Sequence, residues 1–322
     1  MFKAGKERFI QMGNVDSRAK EYFSDNGRFA DLCNYVLYDG DPVIQPDFLE
    51  EKDTTEVLSV FGTDQKQTHI QKWRDLLRST VIRSFQGVCL ILIGVEAQAD
   101  IHYAMPVKNM IYDALNYGYQ VKAAARKHKR DQDYKDSAEF LSGFQSGDKL
   151  TPVITITVYL GSEDWDAPRK LSDMYEEVDE RLRPFLQDFN ANVLVPREMD
   201  AFFKFRTGLR QVFEVLNVAG DKKAMEQVFR SDKMFQALDN ETVHAINEFA
   251  GTRIPVNKKG KVTDVCKAWE DYGFDRELKG REDERIDAIR NMIELGLTKE
   301  QILKKYSEEE YEKANQELVV HA

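Results

Sequence analysis

The residues best suited to chemistry in this chain gather around one apolar run. Gly87-Val-Cys-Leu-Ile-Leu-Ile-Gly-Val ends abruptly at Glu96, and an amide, Gln98, follows two positions later. Alternate residues of a strand point to the same face, so Glu96 and Gln98 project together from the strand's end. Asp75, in Trp73-Arg-Asp75, lies 21 positions before Glu96, which leaves room for a turn and a return beside that strand. Two carboxylates and an amide at the rim of a buried sheet suit a hard divalent cation. Mg2+ takes one or two carboxylates, keeps open water positions and binds substrate phosphate. Plainer roles exist for each: a carboxylate that closes a strand can be a solvated terminus, and Asp75 can pair with Arg74 or Arg78.

The surrounding pattern supplies elements to hold these groups. Phe29, Leu32, Cys33, Val36 and Leu37 recur at helical spacing, and Asp39-Gly40-Asp-Pro42 stops that helix. Residues 1–28 are polar and mixed, a short helix or arm. Val88–Val95 is continuously apolar, as a central strand buried on both faces should be. Pro106 is placed to open a helix at its first turn, and that helix should run to the basic cluster ending at Arg130. Ile154, Ile156, Val158 and Leu160 alternate with Thr155, Thr157 and Tyr159, which marks another strand. Helix, strands, helix, strand is an α/β order. After Pro196 the texture turns helical, with segments at Met199–Leu216, Lys222–Leu238, Glu241–Phe249, Glu282–Leu295 and Thr298–Tyr306. Thr298-Lys-Glu-Gln301 fits a capping box. The expected division is therefore 1–195 and 196–322.

Taken in order, these motifs carry a family resemblance. Asp75…Glu96-x-Gln98, Met105-Pro-Val-Lys-Asn-Met-Ile-Tyr112-Asp, Phe140-Leu-Ser-Gly-Phe144 and Pro152-Val-Ile-Thr-Ile-Thr-Val-Tyr-Leu-Gly161 resemble the recombination-promoting nuclease (Rpn), or YhgA-like transposase, family. That family lies in the PD-(D/E)XK nuclease superfamily, and the resemblance runs from about Phe29 to about Asp173. It implies a restriction-endonuclease-like core, a mixed sheet flanked by helices, followed by an α-helical C-terminal region. It further implies a Mg2+-dependent DNA endonuclease, with Mn2+ as a substitute, linked to recombination or mobile elements. Asp75 and Glu96 would hold the metal, and Gln98 stands where the superfamily has Lys. Asp31 matches the acidic residue of the first core helix. At about 100° per residue, however, it falls nearly opposite the apolar stripe, so ligand and solvated-face readings both stay open.

Gln98 cannot take up a proton near neutral pH, but it can hold a water with its donor and acceptor groups. The base would be water activated by the metal, or a substrate phosphate. Losing the superfamily's Lys also removes a positive charge from the developing phosphorane, so slow chemistry is expected.

Composition bounds the rest. The chain has 322 residues, 42% hydrophobic, with 19 Phe and 13 Tyr, enough for real cores. No apolar run approaches the length of a membrane span, and the charged N-terminus lacks a signal peptide's apolar stretch. Three scattered cysteines fit a reduced, cytoplasmic protein. A net charge of −10 opposes chain-wide affinity for nucleic acid. Local candidates for DNA contact are Lys108, four residues before Tyr112, and the cluster Lys122, Arg126, Lys127, Lys129 and Arg130. The bland reading of that cluster is a solvated helix end, where cations are favourable. The five histidines share no metal-ligand spacing. The helical region, with Glu308-Glu-Glu-Tyr-Glu, suits a protein partner, including a second copy. The rival to an enzyme is a catalytically idle nuclease fold that binds DNA or protein.

Overall fold

A computed structural model describes residues 15, 17–52, 55–59, 69–73, 75–84, 87–295 and 297–320. Most of the arm expected at 1–28 lies outside these residues, and residues 17–23 are helical. Helix α1 (Asn26–Tyr38) starts where the Asp25 side chain accepts the Arg28 amide. It ends at Asp39 (φ 54°) and Gly40 (φ 90°), both left-handed, as the Asp-Gly-Asp-Pro signal requires.

The chain is an α/β protein built on a five-stranded mixed sheet. In chain order the strands are β1 (Glu50–Glu51), β4 (Leu76–Ser84), β5 (Gly87–Gln98), β6 (Val153–Tyr159) and β7 (Asn192–Leu194), and they lie side by side in that order. Two further strands, β2 (Thr55–Ser59) and β3 (His69–Trp73), pair antiparallel as a separate ribbon. β5 is central, as its apolar run predicts, antiparallel to β4 and parallel to β6. Parallel neighbours need a long crossover, and here it is helix α2 (Met105–Asp131), with Pro106 in its first turn.

The sheet's two faces differ. Ile91, Ile93, Val95 and Ala97 of β5, with Ile156 and Val158 of β6, turn toward Phe29, Leu32 and Cys33 of α1 in the main apolar core. The opposite face carries Glu96, Thr157 and Thr155 under α2. There the contact is polar: Asn109 Nδ2 donates to Thr157 Oγ1 at 3.0 Å, and Thr155 Oγ1 donates to Asp113 at 2.6 Å.

The C-terminal half is helical: α4 (Leu209–Asn217), α5 (Lys222–Ser231), α6 (Asn240–Ala250), α7 (Val265–Glu294), α8 (Lys299–Ile302) and α9 (Glu308–Val320) follow a short α3 (Ser137–Ser142). Four boundaries differ from expectation, among them the helix expected over Thr298–Tyr306, which stops at Ile302. The helix expected from Met199 begins only at Leu209, because the amides of Arg206 and Thr207 are drawn out to the Asp31 carboxylate. The helix expected to reach Leu238 stops at Ser231, because Asp232 caps a new 3-10 turn by accepting the Met234 amide. α7 extends N-terminally to Val265, where Asp264 caps it. The capping box of Thr298 and Gln301 is formed as expected.

Helices predominate after residue 195, beside a short antiparallel pair of Leu238–Asp239 with Val262–Thr263, and the apolar core runs across 195/196. Leu209, Val212 and Phe213 share one apolar cluster with Phe29, Val95 and Ile156. Tyr35 of α1 stacks on Phe205 with ring centroids 4.3 Å apart. Among the described residues, no helix is long and apolar enough to cross a membrane.

Candidate active site: a carboxylate pair at the end of the central strand

Two chain segments place the carboxylates. Asp75 sits in the bend between β3 and β4, and Glu96 lies two residues inside the end of β5. Each braces the other's backbone. The Ala97 amide donates to Asp75 Oδ2 at 2.9 Å, and the Asp75 amide approaches Glu96 Oε2 at 3.4 Å. The adjacency expected from the 21-residue spacing is therefore present. Arg78 is directed to the other face, where it donates to the Ser24 carbonyl at 2.7 Å.

Glu96 is only 4% exposed, and a buried carboxylate needs compensation. It comes from α2: Lys108 Nζ lies 2.6 Å from Glu96 Oε1. Tyr112, one turn further along, donates to the same oxygen at 3.4 Å, and Lys108 also overhangs the Tyr112 ring at 6.0 Å. Spacing left Lys108 and Tyr112 open between a shared phosphate-facing role and ordinary surface or packing roles; the fold turns both onto Glu96. The signal was available, since Pro106 opens the helix right after the strand end and so brings its first two turns back across Glu96. Lys108 thus brings a positive charge to the strand end from another element. Gln98 folds back on its own strand, donating to Glu96 Oε1 at 3.3 Å and to the Ala97 carbonyl at 2.7 Å.

Asp31 does not join this group through any hydrogen bond described for it. Its carboxylate accepts the Arg206 and Thr207 amides at 2.9 and 2.8 Å and the Thr207 hydroxyl at 2.7 Å. At 6% exposure it is not on a solvated face either. The helical-wheel expectation fails because α1 is covered on two sides, by the sheet and by the segment entering α4.

The basic cluster lies at the far end of α2. Lys122, Arg126, Lys127, Lys129 and Arg130 are 14 to 22 residues beyond Lys108, or ~21–33 Å along the helix axis. Arg130 pairs with Asp131 at 2.8 Å. Between these cations His128 is buried and bridges two carboxylates, Asp133 at 2.8 Å and Asp148 at 3.0 Å. The hydrogen bond that His128 donates to Asp133 in particular holds its imidazole pKa above the usual histidine value.

The donor set at Asp75 and Glu96 is hard oxygen, and Asn109 adds a buried side-chain oxygen that accepts no hydrogen bond within the described protein. Two carboxylates suffice for Mg2+, which draws its remaining ligands from water and phosphate. Among the described residues no cluster of three or more His, Cys, Asp or Glu is assembled as a metal cage. The chain matches no protein-family model, no curated protein and no solved structure among those compared.

Proposed function

We propose that this protein is a divalent-metal-dependent DNA endonuclease with a PD-(D/E)XK-type core, as its resemblance to the recombination-promoting nuclease family implies. The observation that supports it best is the joining of Asp75, Glu96, Gln98 and Lys108 at the end of one central strand. Asp75 and Glu96 would hold Mg2+ or Mn2+. A cation bound there supplies an activated water and neutralises charge on the phosphate being cleaved. Glu96 offers its Oε2 side, while Lys108 occupies Oε1 and can swing to a phosphate oxygen as substrate enters. Gln98 then holds water through its amide, having no proton to give or take at neutral pH. Lys108 supplies the charge that the superfamily carries at the position of Gln98, which removes the reason to expect slow chemistry.

One observation favours a second reading. Lys108 already neutralises Glu96, so the site is stable without metal and would also suit an idle fold that only binds DNA or a protein partner. Calorimetric titration with Mn2+ separates the two. The nuclease reading expects binding by wild type that is lost in Asp75→Asn and Glu96→Gln. An idle fold gives no Mn2+ binding in any of the three. A homodimer through the helical region and a cytoplasmic location remain part of the proposal.

A further inference from the structure

A second cavity lies on the same sheet face as Glu96. It encloses about 360 Å³ between the flank of α2 and strands β4 and β5, with Leu77, Ser79, Leu90 and Leu92 as floor and Tyr119 and Gln120 as wall. Along β5 its floor residues are four and six positions from Glu96, or ~13–20 Å at the strand rise. The flank of α2 that overlooks it has a regular composition. At about 100° per residue, Lys108, Tyr112, Tyr119, Lys122 and Arg126 fall within about 40° of one line. Along this line one cation, two rings and two cations follow one another from the carboxylates past the cavity to the basic cluster, with buried Leu115 between the two rings. In a chain of net charge −10 this is a local reversal of sign.

We infer that this cavity receives an unstacked nucleobase from a single-stranded stretch of polynucleotide, whose phosphates follow the Lys108–Lys122–Arg126 stripe. Proteins that hold single strands combine a basic track with aromatic side chains on which bases stack. A base has two apolar faces, which suit Leu90 and Leu92 below and the Tyr119 ring beside them. Tyr119 is 53% exposed and Leu90 is 49% exposed, so both are open to a ligand entering the cavity. A duplex keeps its bases stacked and cannot offer one to this cavity without unpairing it. The inference rests on the nuclease reading only for its meaning: the anchored base would lie a few nucleotides from the bond being cut.

The test is fluorescence anisotropy with a labelled oligothymidylate in EDTA, where binding is read without cleavage. Wild type should bind it, Tyr119→Ala and Leu90→Glu should each bind about tenfold more weakly, and Tyr119→Trp should restore binding. An abasic oligomer of equal charge should bind wild type as weakly as oligothymidylate binds Tyr119→Ala. Both substituted side chains are half exposed, so folding is not at stake. Equal binding by wild type and both variants, or equal binding of the abasic oligomer, would overturn the inference. Tyr119-dependent binding by a protein that never cuts DNA would leave this site standing and sink the nuclease reading. Cutting that needs Glu96 but ignores Tyr119 would do the reverse.

Discussion

Lys108 and Glu96 meet at 2.6 Å across the end of the sheet, a helix cation placed on a strand carboxylate that is almost wholly buried. Removing one partner of a buried pair strands the other charge, which costs about 3–5 kcal/mol, whereas removing both is far milder. Lys108→Met should therefore lower unfolding free energy by about that amount, and Lys108→Met with Glu96→Gln should recover most of it. Urea denaturation of the four proteins closes the cycle. A Lys108→Met protein as stable as wild type would mean that the pair contributes nothing.

Asp31 fastens α1 to the segment that enters α4. Its loss would leave the part-buried amides of Arg206 and Thr207 without their acceptor, at about 1–3 kcal/mol each. Asp31→Ala should thus be less stable by about 3 kcal/mol, with Mn2+ affinity unchanged in the fraction that remains folded. A variant of normal stability that has lost Mn2+ would return Asp31 to the metal site.

His128 gives a pH dependence with a definite sign. Its folded pKa is raised, chiefly by the hydrogen bond with Asp133, with Asp148 on the other ring nitrogen. A raised folded pKa means that the bridge contributes fully below the unfolded value of about 6.5 and is lost as pH rises through the folded value. Amide exchange in the loop joining α2 to β6 should accelerate over that rise beyond the intrinsic effect of pH, and His128→Ala should abolish the extra acceleration. An NMR titration placing His128 at or below the ordinary value would refute the bridge.

Gly208 is fixed by space. A Cβ there would lie 2.2 Å from the Thr242 hydroxyl and 3.0 Å from the Tyr22 hydroxyl. Thr242 cannot withdraw, because its hydroxyl donates to Asp239 at 2.6 Å and contacts Tyr22 at 3.0 Å. Gly208→Ala should lose about 1–3 kcal/mol by overpacking, read as a lower urea midpoint.

Much of the site could be read from the residues in order. An apolar run ending in Glu96 fixes a central strand and the carboxylate at its end, and Pro106 fixes where the next helix begins. The same pattern cannot say where a helix's side chains land once it crosses a sheet. Lys108 and Tyr112 looked like surface residues because their partner is a strand end that lies ten or more positions away in sequence. Asp31 stayed open between a ligand and a solvated face because a wheel assigns one buried face to a helix, while α1 is enclosed by two layers. The bridge at His128 depends on Asp148, 20 residues later, and no local spacing encodes it.

The account stands or falls on whether Glu96 supports phosphodiester cleavage. Supercoiled plasmid should be incubated with wild type and Glu96→Gln in Mg2+, Mn2+ or EDTA, with both proteins shown to be folded. The account predicts nicking or linearisation by wild type with metal, none in EDTA and none by Glu96→Gln. Intact plasmid under every condition, or cutting that persists in Glu96→Gln, would contradict it.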